Sequence, residues 1–408
     1  MLVASLVRKT LALKSHKVVR VAEESGRLVV ELDRRKGRRL PCSICLEPAG
    51  GEDRLKMRRW RHVPLWGIPV ELRYRPCRVS CRTCGVRVES IPWSAGKSPI
   101  AVPLMVVLAT WSRILAWDVV ATLFGVSWQT VVDTVDAAVE YGRTVETYAG
   151  VTHIGIDEIS RKKGHVYHTN VYDLTKRRLI WSEEGRGKDT IEAFFTWFGD
   201  ERTAALQGIC CDMWANYVDV CRLKASQATL VFDKFHIVAH LMRAVDDVRR
   251  MEAKALRATY PELLKGTRYI FLKNPWNLTD NQQIRLRELE RFNLKTLRAY
   301  LLKEMFAGLW TYTSRAWAKR FLDRWFWWAT HSRLKPLRDF AWMLRRHQEG
   351  ILAYFECRID NGATEAMNNN AKAVSHRARG FRTARAFTLA QLHCLGKLPL
   401  PETTHRFA

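Results

Sequence analysis

The sequence predicts a multidomain α+β chain, on three observations. Two C-x-x-C pairs lie among strand-like segments near the N-terminus. A helix, a glycine turn and a capped second helix follow. From residue 152 to 233 strands and helices alternate, and a long basic helical stretch comes next.

Residues 1–95 are expected to form a zinc-ribbon-like module. Val18-Val19-Arg20-Val21 and Arg27 to Leu32 read as a hairpin turning at Gly26, and a basic run from Arg34 to Arg39 leads into the cysteines. From Trp60 to Arg75 the pattern is again strand-like, with Gly67 and Pro69 at a turn. Cys42-x-x-Cys45 and Cys81-x-x-Cys84 can present four thiolates to one tetrahedral structural Zn²⁺. Cys77 is a spare thiol able to replace one ligand, though its offset from Cys81 suits a knuckle less well. Arg58, Arg59, Arg61, Arg73 and Arg75 surround the pairs and are candidate DNA contacts.

Residues 96–148 carry the grammar of a helix-turn-helix. An apolar helix ends at Gly125, and Ser127 is a good N-cap for the next. In that motif the second helix enters the major groove, so Ser127, Trp128 and Gln129 are candidate DNA contacts.

Residues 149–240 read as three meandering strands, then helix, strand, helix, strand. That is the order of an RNase H-like α/β domain. A helical insertion over 241–349 is expected to interrupt it, and residues 350–400 to complete it. The tryptophans at 276, 310, 317, 325, 327, 328 and 342 are expected to pack as a helical core, the other reading being stacking on unpaired bases.

Charge narrows the function. Lys and Arg number 67 against 41 Asp and Glu, a net +26, which calls for a polyanionic partner; nucleic acid fits best. The start of the chain lacks the apolar core of a secretory signal, and the longest apolar run is too short to span a bilayer. With half of the ten cysteines lying between Cys42 and Cys84, four of them in C-x-x-C pairs that suit a metal, a reducing, cytoplasmic compartment is expected and no membrane partner.

Two-metal phosphoryl transfer needs clustered carboxylates, and hard oxygen ligands suit Mg²⁺ or Mn²⁺. Strand alternation turns Asp157 away from the apolar side of Ile154 and Ile156, beside Gly155. Asp212 follows an apolar strand, where a carboxylate is costly without a role. In an RNase H-like sheet the first and fourth strands are neighbours, so these acids would meet. A later helix would supply the third, Glu365, with Asn369, Lys372, His376 and Arg379 on its face.

Four blocks, Gly155-Ile156-Asp157-Glu158, Cys211-Asp212-Met213-Trp214, Phe232-Asp233-Lys234-Phe235-His236 and Asn361 to Asn369, resemble those of bacterial insertion-sequence DDE transposases of the ISL-three type. The likeness extends over nearly the whole chain. It implies catalytic roles for Asp157, Asp212 and Glu365 holding two divalent ions. It implies a part in the site or in DNA positioning for Asp233 and His236. It also implies a basic segment after the Glu in which Arg377, Arg379 and Arg382 contact DNA. The expected activity is binding of terminal inverted repeats, cleavage of the element ends and joining of the 3′-OH ends to target DNA. This would take place on the bacterial nucleoid, by a homodimer or higher oligomer on double-stranded DNA. A transposase-derived DNA-binding regulator is disfavoured because all three acids are present. An RNase H-like nuclease without strand transfer shares the metal site and stays open.

Overall fold

The computed structural model describes residues 3–11, 13–162, 164, 166–357, 359 and 362–402. The chain is a mixed α+β structure of two compact units, Met1–Thr147 with Val374–Ala408, and Tyr148–Ala373. None of the described helices is long and apolar enough to cross a membrane.

The first unit opens with α1 (Val3–Thr10), then β1 (His16–Glu24) and β2 (Arg27–Arg34). Glu24 pairs with Arg27, leaving the two-residue turn Ser25-Gly26, both at positive φ. Such primed turns match the twist of the flanking strands. Next come β3 (Leu40–Pro41), β4 (Pro48–Arg54), β5 (Arg58–Leu65), β6 (Ile68–Tyr74), β7 (Cys77–Cys81) and β8 (Gly85–Val88). They make two four-stranded sheets, β1-β2-β6-β5 and β3-β4-β7-β8. The hairpin at Gly26 and the turn at Gly67 stand where the sequence placed them. Trp60, Leu72, Tyr74 and Trp93 fill the core of the first sheet. The buried Glu89 carboxylate accepts from Tyr74 Oη at 2.7 Å and from the Cys77 backbone N–H at 2.6 Å, tying the two sheets together.

Helices α2 (Val102–Ser112), α3 (Trp117–Phe124) and α4 (Trp128–Val145) follow. Gly125, at φ 58°, closes α3 in the left-handed conformation that glycine takes without strain. Ser127 Oγ caps α4 by accepting from the Thr130 N–H at 3.1 Å.

The second unit holds β9 (His153–Lys162), β10 (Val166–Asp173), β11 (Arg178–Glu184), α5 (Lys188–Phe198), α6 (Asp200–Ala204), β12 (Gly208–Cys211), α7 (Ala215–Lys224), β13 (Thr229–Phe232) and the long α8 (Lys234–Ala255). The sheet order is β11-β10-β9-β12-β13. The first three strands meander antiparallel, and β12 runs parallel to both β9 and β13. Then come α9 (Arg268–Leu272), α10 (Asp280–Leu289), α11 (Lys295–Ala307), α12 (Arg315–His331), α13 (Lys335–Arg346) and α14 (Gln348–Cys357). These helices share one continuous core with the sheet, from Ile154 and Ile156 through Val245 and Trp325 to Phe355. The buried stripe of α8 joins the sheet to the helices of the stretch 241–349.

The last helices are α15 (Gly362–Arg377) and α16 (Ala384–Leu395). Residues from 374 onward group with the first unit. The cause is the apolar face of α16, with Phe387, Leu389, Ala390 and Leu392 buried, which packs on α4. His393 Nε2 fixes it by hydrogen bonding the Ala109 carbonyl at 2.7 Å.

Candidate active site

The second unit's sheet positions the two aspartates. Gly208, Ile209 and Cys210 of β12 pair in parallel with His153, Ile154 and Gly155 of β9. Each aspartate follows its paired residue by two positions, Asp157 after Gly155 and Asp212 after Cys210. Asp157 therefore lies on β9 and Asp212 just past the end of β12, at the same end of two neighbouring parallel strands. Ile154 and Ile156 are buried on the opposite side of β9, as alternation requires.

Asp157 is largely enclosed. Its Oδ1 accepts from the Glu158 N–H at 2.7 Å and its Oδ2 from Asn368 Nδ2 at 2.6 Å. Burial pushes its carboxyl up to about 6. Asp212 Oδ1 accepts from the Met213 N–H at 2.6 Å, and its Oδ2 lies 3.9 Å from His236 Nε2. His236 is held from behind: its Nδ1 is 2.7 Å from Asp233 Oδ2, and that bond pushes the imidazole up to about 9. Asp233 in turn caps α8, accepting from the Phe235 N–H at 2.9 Å. An imidazolium thus faces the aspartate pair.

Glu365 is exposed in the first turn of α15. One turn on, Asn368 bonds Asp157, so this helix is pinned at the aspartates. The three acids do not have all their ligand oxygens within 4.8 Å of one another; among the described residues, that closeness is met by a cysteine cluster. Asn361 of the fourth sequence block lies outside the described residues.

The donor set suits hard divalent ions. It offers carboxylate oxygens, and the Asp157 carboxyl is raised by burial. Sequence reasoning missed the supports around it. Asn170 Nδ2 donates to Tyr172 Oη at 2.9 Å, and Tyr172 Oη donates to Asn368 Oδ1. Tyr217 Oη donates to Glu158 Oε1 at 2.7 Å and so holds that carboxylate. The available signal was β10, where His168, Thr169 and Asn170 are polar yet buried in succession.

The cysteine cluster is Cys42, Cys45, Cys81 and Cys84, with all four sulfurs within 4.8 Å of one another. The backbone N–H groups of Cys84 and Thr83 draw the Cys81 thiol down to about 7, while the neighbouring sulfurs push Cys84 up to about 12, as crowded thiols do when one proton leaves first. The set is compatible with structural zinc. Cys77 stands outside it, buried, with its thiol pushed up chiefly by burial.

Residues 154–391, more than half of the chain, match the profile of the ISL3 transposases, described as Transposase. The chain belongs to the ISL3 transposase family. It is 29% identical over 406 residues to the transposase for insertion sequence element IS1557 of Mycobacterium tuberculosis, covering 93% of this chain and 91% of that protein. It is 30% identical over 337 residues to the transposase for insertion sequence element IS1001 of Bordetella parapertussis, covering 82% and 83%.

Transposases act on DNA, and the expected DNA-contacting residues of this family member divide into two groups. Several cations are engaged within the protein. Arg61 donates to the Gly125 carbonyl at 2.6 Å and the Phe124 carbonyl at 3.3 Å. Arg73 pairs with Glu71 at 2.6 Å and Glu24 at 2.8 Å, and Arg59 lies 3.9 Å from Glu71. Arg58 stacks on Trp60 and donates to the Gly96 carbonyl. Arg377 donates to the carbonyls of Arg113 and Ile114. Ser127 Oγ serves the α4 cap, and Gln129 Nε2 donates to Asp133 Oδ1 at 2.7 Å. Arg75, Trp128, Lys372, His376, Arg379 and Arg382 remain on the surface. The tryptophans also depart from expectation. Trp325 is buried and Trp310 half-buried, but Trp276, Trp317, Trp327, Trp328 and Trp342 are exposed.

Proposed function

We propose that the chain binds the terminal inverted repeats of its insertion sequence, cleaves the element ends and joins the 3′-OH ends to target DNA. The parallel pairing of β12 with β9, whose ends lead to Asp212 and Asp157, supports this reading. The strand order β11-β10-β9-β12-β13 supports an RNase H-like catalytic domain beginning near residue 149. The Gly125 turn and Ser127 cap between α3 and α4 support a helix-turn-helix over 96–148.

In this reading Asp157, Asp212 and Glu365 hold two Mg²⁺ or Mn²⁺ ions. Bound there, such ions would supply charge neutralisation at the scissile phosphate and a more acidic water. Asn368 orients Asp157. His236, cationic through Asp233, orients Asp212 and offers positive charge toward the phosphate. Hydrolysis breaks the phosphodiester P–O3′ bond and leaves a 3′-OH and a 5′-phosphate; the 3′-oxygen then attacks a target phosphorus, forming a new P–O bond as the target's P–O3′ bond breaks and its own 3′-OH leaves. The four-cysteine set holds structural Zn²⁺ in the N-terminal module of residues 1–95. Pairing of two element ends calls for a homodimer or larger assembly on DNA, acting at the bacterial nucleoid.

The test is cleavage and joining of a labelled duplex carrying the terminal repeat, with Mg²⁺. Wild type should cut and join, while Asp212→Ala should bind the duplex and do neither. Equal activity in both would remove Asp212 from the site. Cutting without joining of pre-cut ends would favour a nuclease.

A further inference from the structure

Helix α8 begins at the candidate active site and leaves it as a two-sided rod. Ile237, Leu241, Val245 and Val248 form its buried stripe. At the far end of that stripe, Glu252 accepts from the Lys295 and Thr296 N–H groups, both at 2.7 Å, capping α11. These contacts fix the rotation of α8 and decide which residues face outward. The outward stripe reads His236, His240, Arg243, Asp247, Arg250, Lys254, stepping by four and three along one face.

That face forms one wall of the second unit's cleft of 870 Å³, and α13 forms the other, with Lys335 and Asp339. Ala244 and Phe340 give it a buried apolar floor. Two acids are present, each with a local partner: Asp247 lies 3.8 Å from Arg250 and Asp339 lies 2.8 Å from Lys335. Arg243 and Lys254 are exposed and pair with no acid among the described residues. The net charge of the groove is therefore positive, with unneutralised cations aimed into open space. The groove starts one helical turn from the site, because His240 lines it and follows His236 by four residues on α8.

We propose that the groove between α8 and α13 is a track for the sugar-phosphate backbone of the DNA strand entering the candidate active site. The proposal rests on the transposase reading above and names a contact surface for it. From His240 to Lys254 the helix rises roughly 21 Å, which accommodates about six steps of a duplex strand laid along it. The occupant is a polyanion because unpaired guanidinium and ammonium groups line an open groove, and the chain as a whole carries +26. Contacts of this kind position the strand without reading its sequence.

The test uses the full chain and a fluorescein-labelled duplex, with binding followed by anisotropy across a salt series. Wild type is compared with the triple variant Arg243→Ala/Arg250→Ala/Lys254→Ala. A control triple variant, Lys265→Ala/Arg291→Ala/Arg298→Ala, removes exposed cations outside the groove. Loss of three phosphate contacts should lower the slope of log affinity against log salt by about 2.7. Between roughly 50 and 200 mM salt, wild type would then lose about 40-fold more affinity than the groove variant. The control triple should keep the wild-type slope. Should the groove triple fold poorly in a thermal melt, Arg243→Gln alone should lower the slope by about 0.9. An unchanged slope in the groove variants, or an equal loss in the control, overturns the track. If wild type cuts DNA while the groove triple binds like wild type, the track alone fails. If wild type binds no duplex, the transposase reading fails with it.

Discussion

Asn368 donates from Nδ2 to Asp157 Oδ2 at 2.6 Å, across 211 residues of sequence. The bond joins the helix that carries Glu365 to the strand that carries Asp157. Tyr172 Oη donates to the same amide's Oδ1, and Asn170 donates to Tyr172. The amide orientation is therefore set from the strand side, with Nδ2 left to face the carboxylate.

Replacing that donor should cost activity more than binding. Asn368→Ala should lower single-turnover DNA cleavage by about 10- to 100-fold, the usual effect of losing a group that orients a metal ligand. Asn368→Asp, nearly the same shape but no donor at neutral pH, should not restore the rate. Duplex affinity should stay at the wild-type value. Full cleavage by Asn368→Ala would reduce the bond to a structural tie.

Zinc content separates the four clustered thiols from the fifth. The purified chain should carry zinc in equimolar amount, read by elemental analysis. Cys45→Ser should lose the metal and lower the melting temperature of the N-terminal module. Cys77→Ser should keep the metal, because Cys77 lies outside the cluster. Loss of zinc from Cys77→Ser alone would reassign the ligand set.

What the sequence made legible was local. Gly26, Gly67, Gly125 and Ser127 mark turns and caps whose chemistry involves residues within a few positions. The β9–β12 pairing was legible only through the expected strand order, since it joins residues 55 apart, whereas the face on which Asp157 lies follows from strand alternation. Asn368 was illegible because its partner lies on a strand 211 residues away. The arginines show the same limit. Arg61 and Arg73 look alike as surface cations in sequence, but only the fold reveals that one holds a helix end and the other two glutamates. The tryptophans failed for the converse reason: large apolar side chains predict burial on average, and an exposed set such as Trp317, Trp327 and Trp342 has no local signature.

Acid should loosen α16. Burial lowers His393 to about 4, whereas an unfolded histidine titrates near 6.5. Between those values the unfolded chain binds more protons, so stability is fully present above about 6.5 and is lost as pH falls toward 4. From pH 7 to pH 5 the loss from this residue is about 2 kcal/mol. Urea melts at the two pH values should show it in wild type. His393→Gln should be less stable at pH 7 but flatter with pH. An equal pH dependence in both would clear His393.

Arg61 and Arg75 offer a paired test of structural against DNA-facing arginines. The Arg61 guanidinium donates to the last carbonyls of α3, at Phe124 and Gly125, where the partial negative charge of the helix end favours a cation. Arg61→Ala should therefore destabilise the first unit by about 1 kcal/mol. It should leave the salt dependence of DNA binding as in wild type. Arg75 is exposed and pairs with no acid among the described residues. Arg75→Ala should melt like wild type yet lower the salt slope by about 0.9 if its charge meets a phosphate. Thermal melts and anisotropy on the same two variants decide it. A slope change in Arg61→Ala with no loss of stability would return Arg61 to the DNA surface and deprive α3 of its cap.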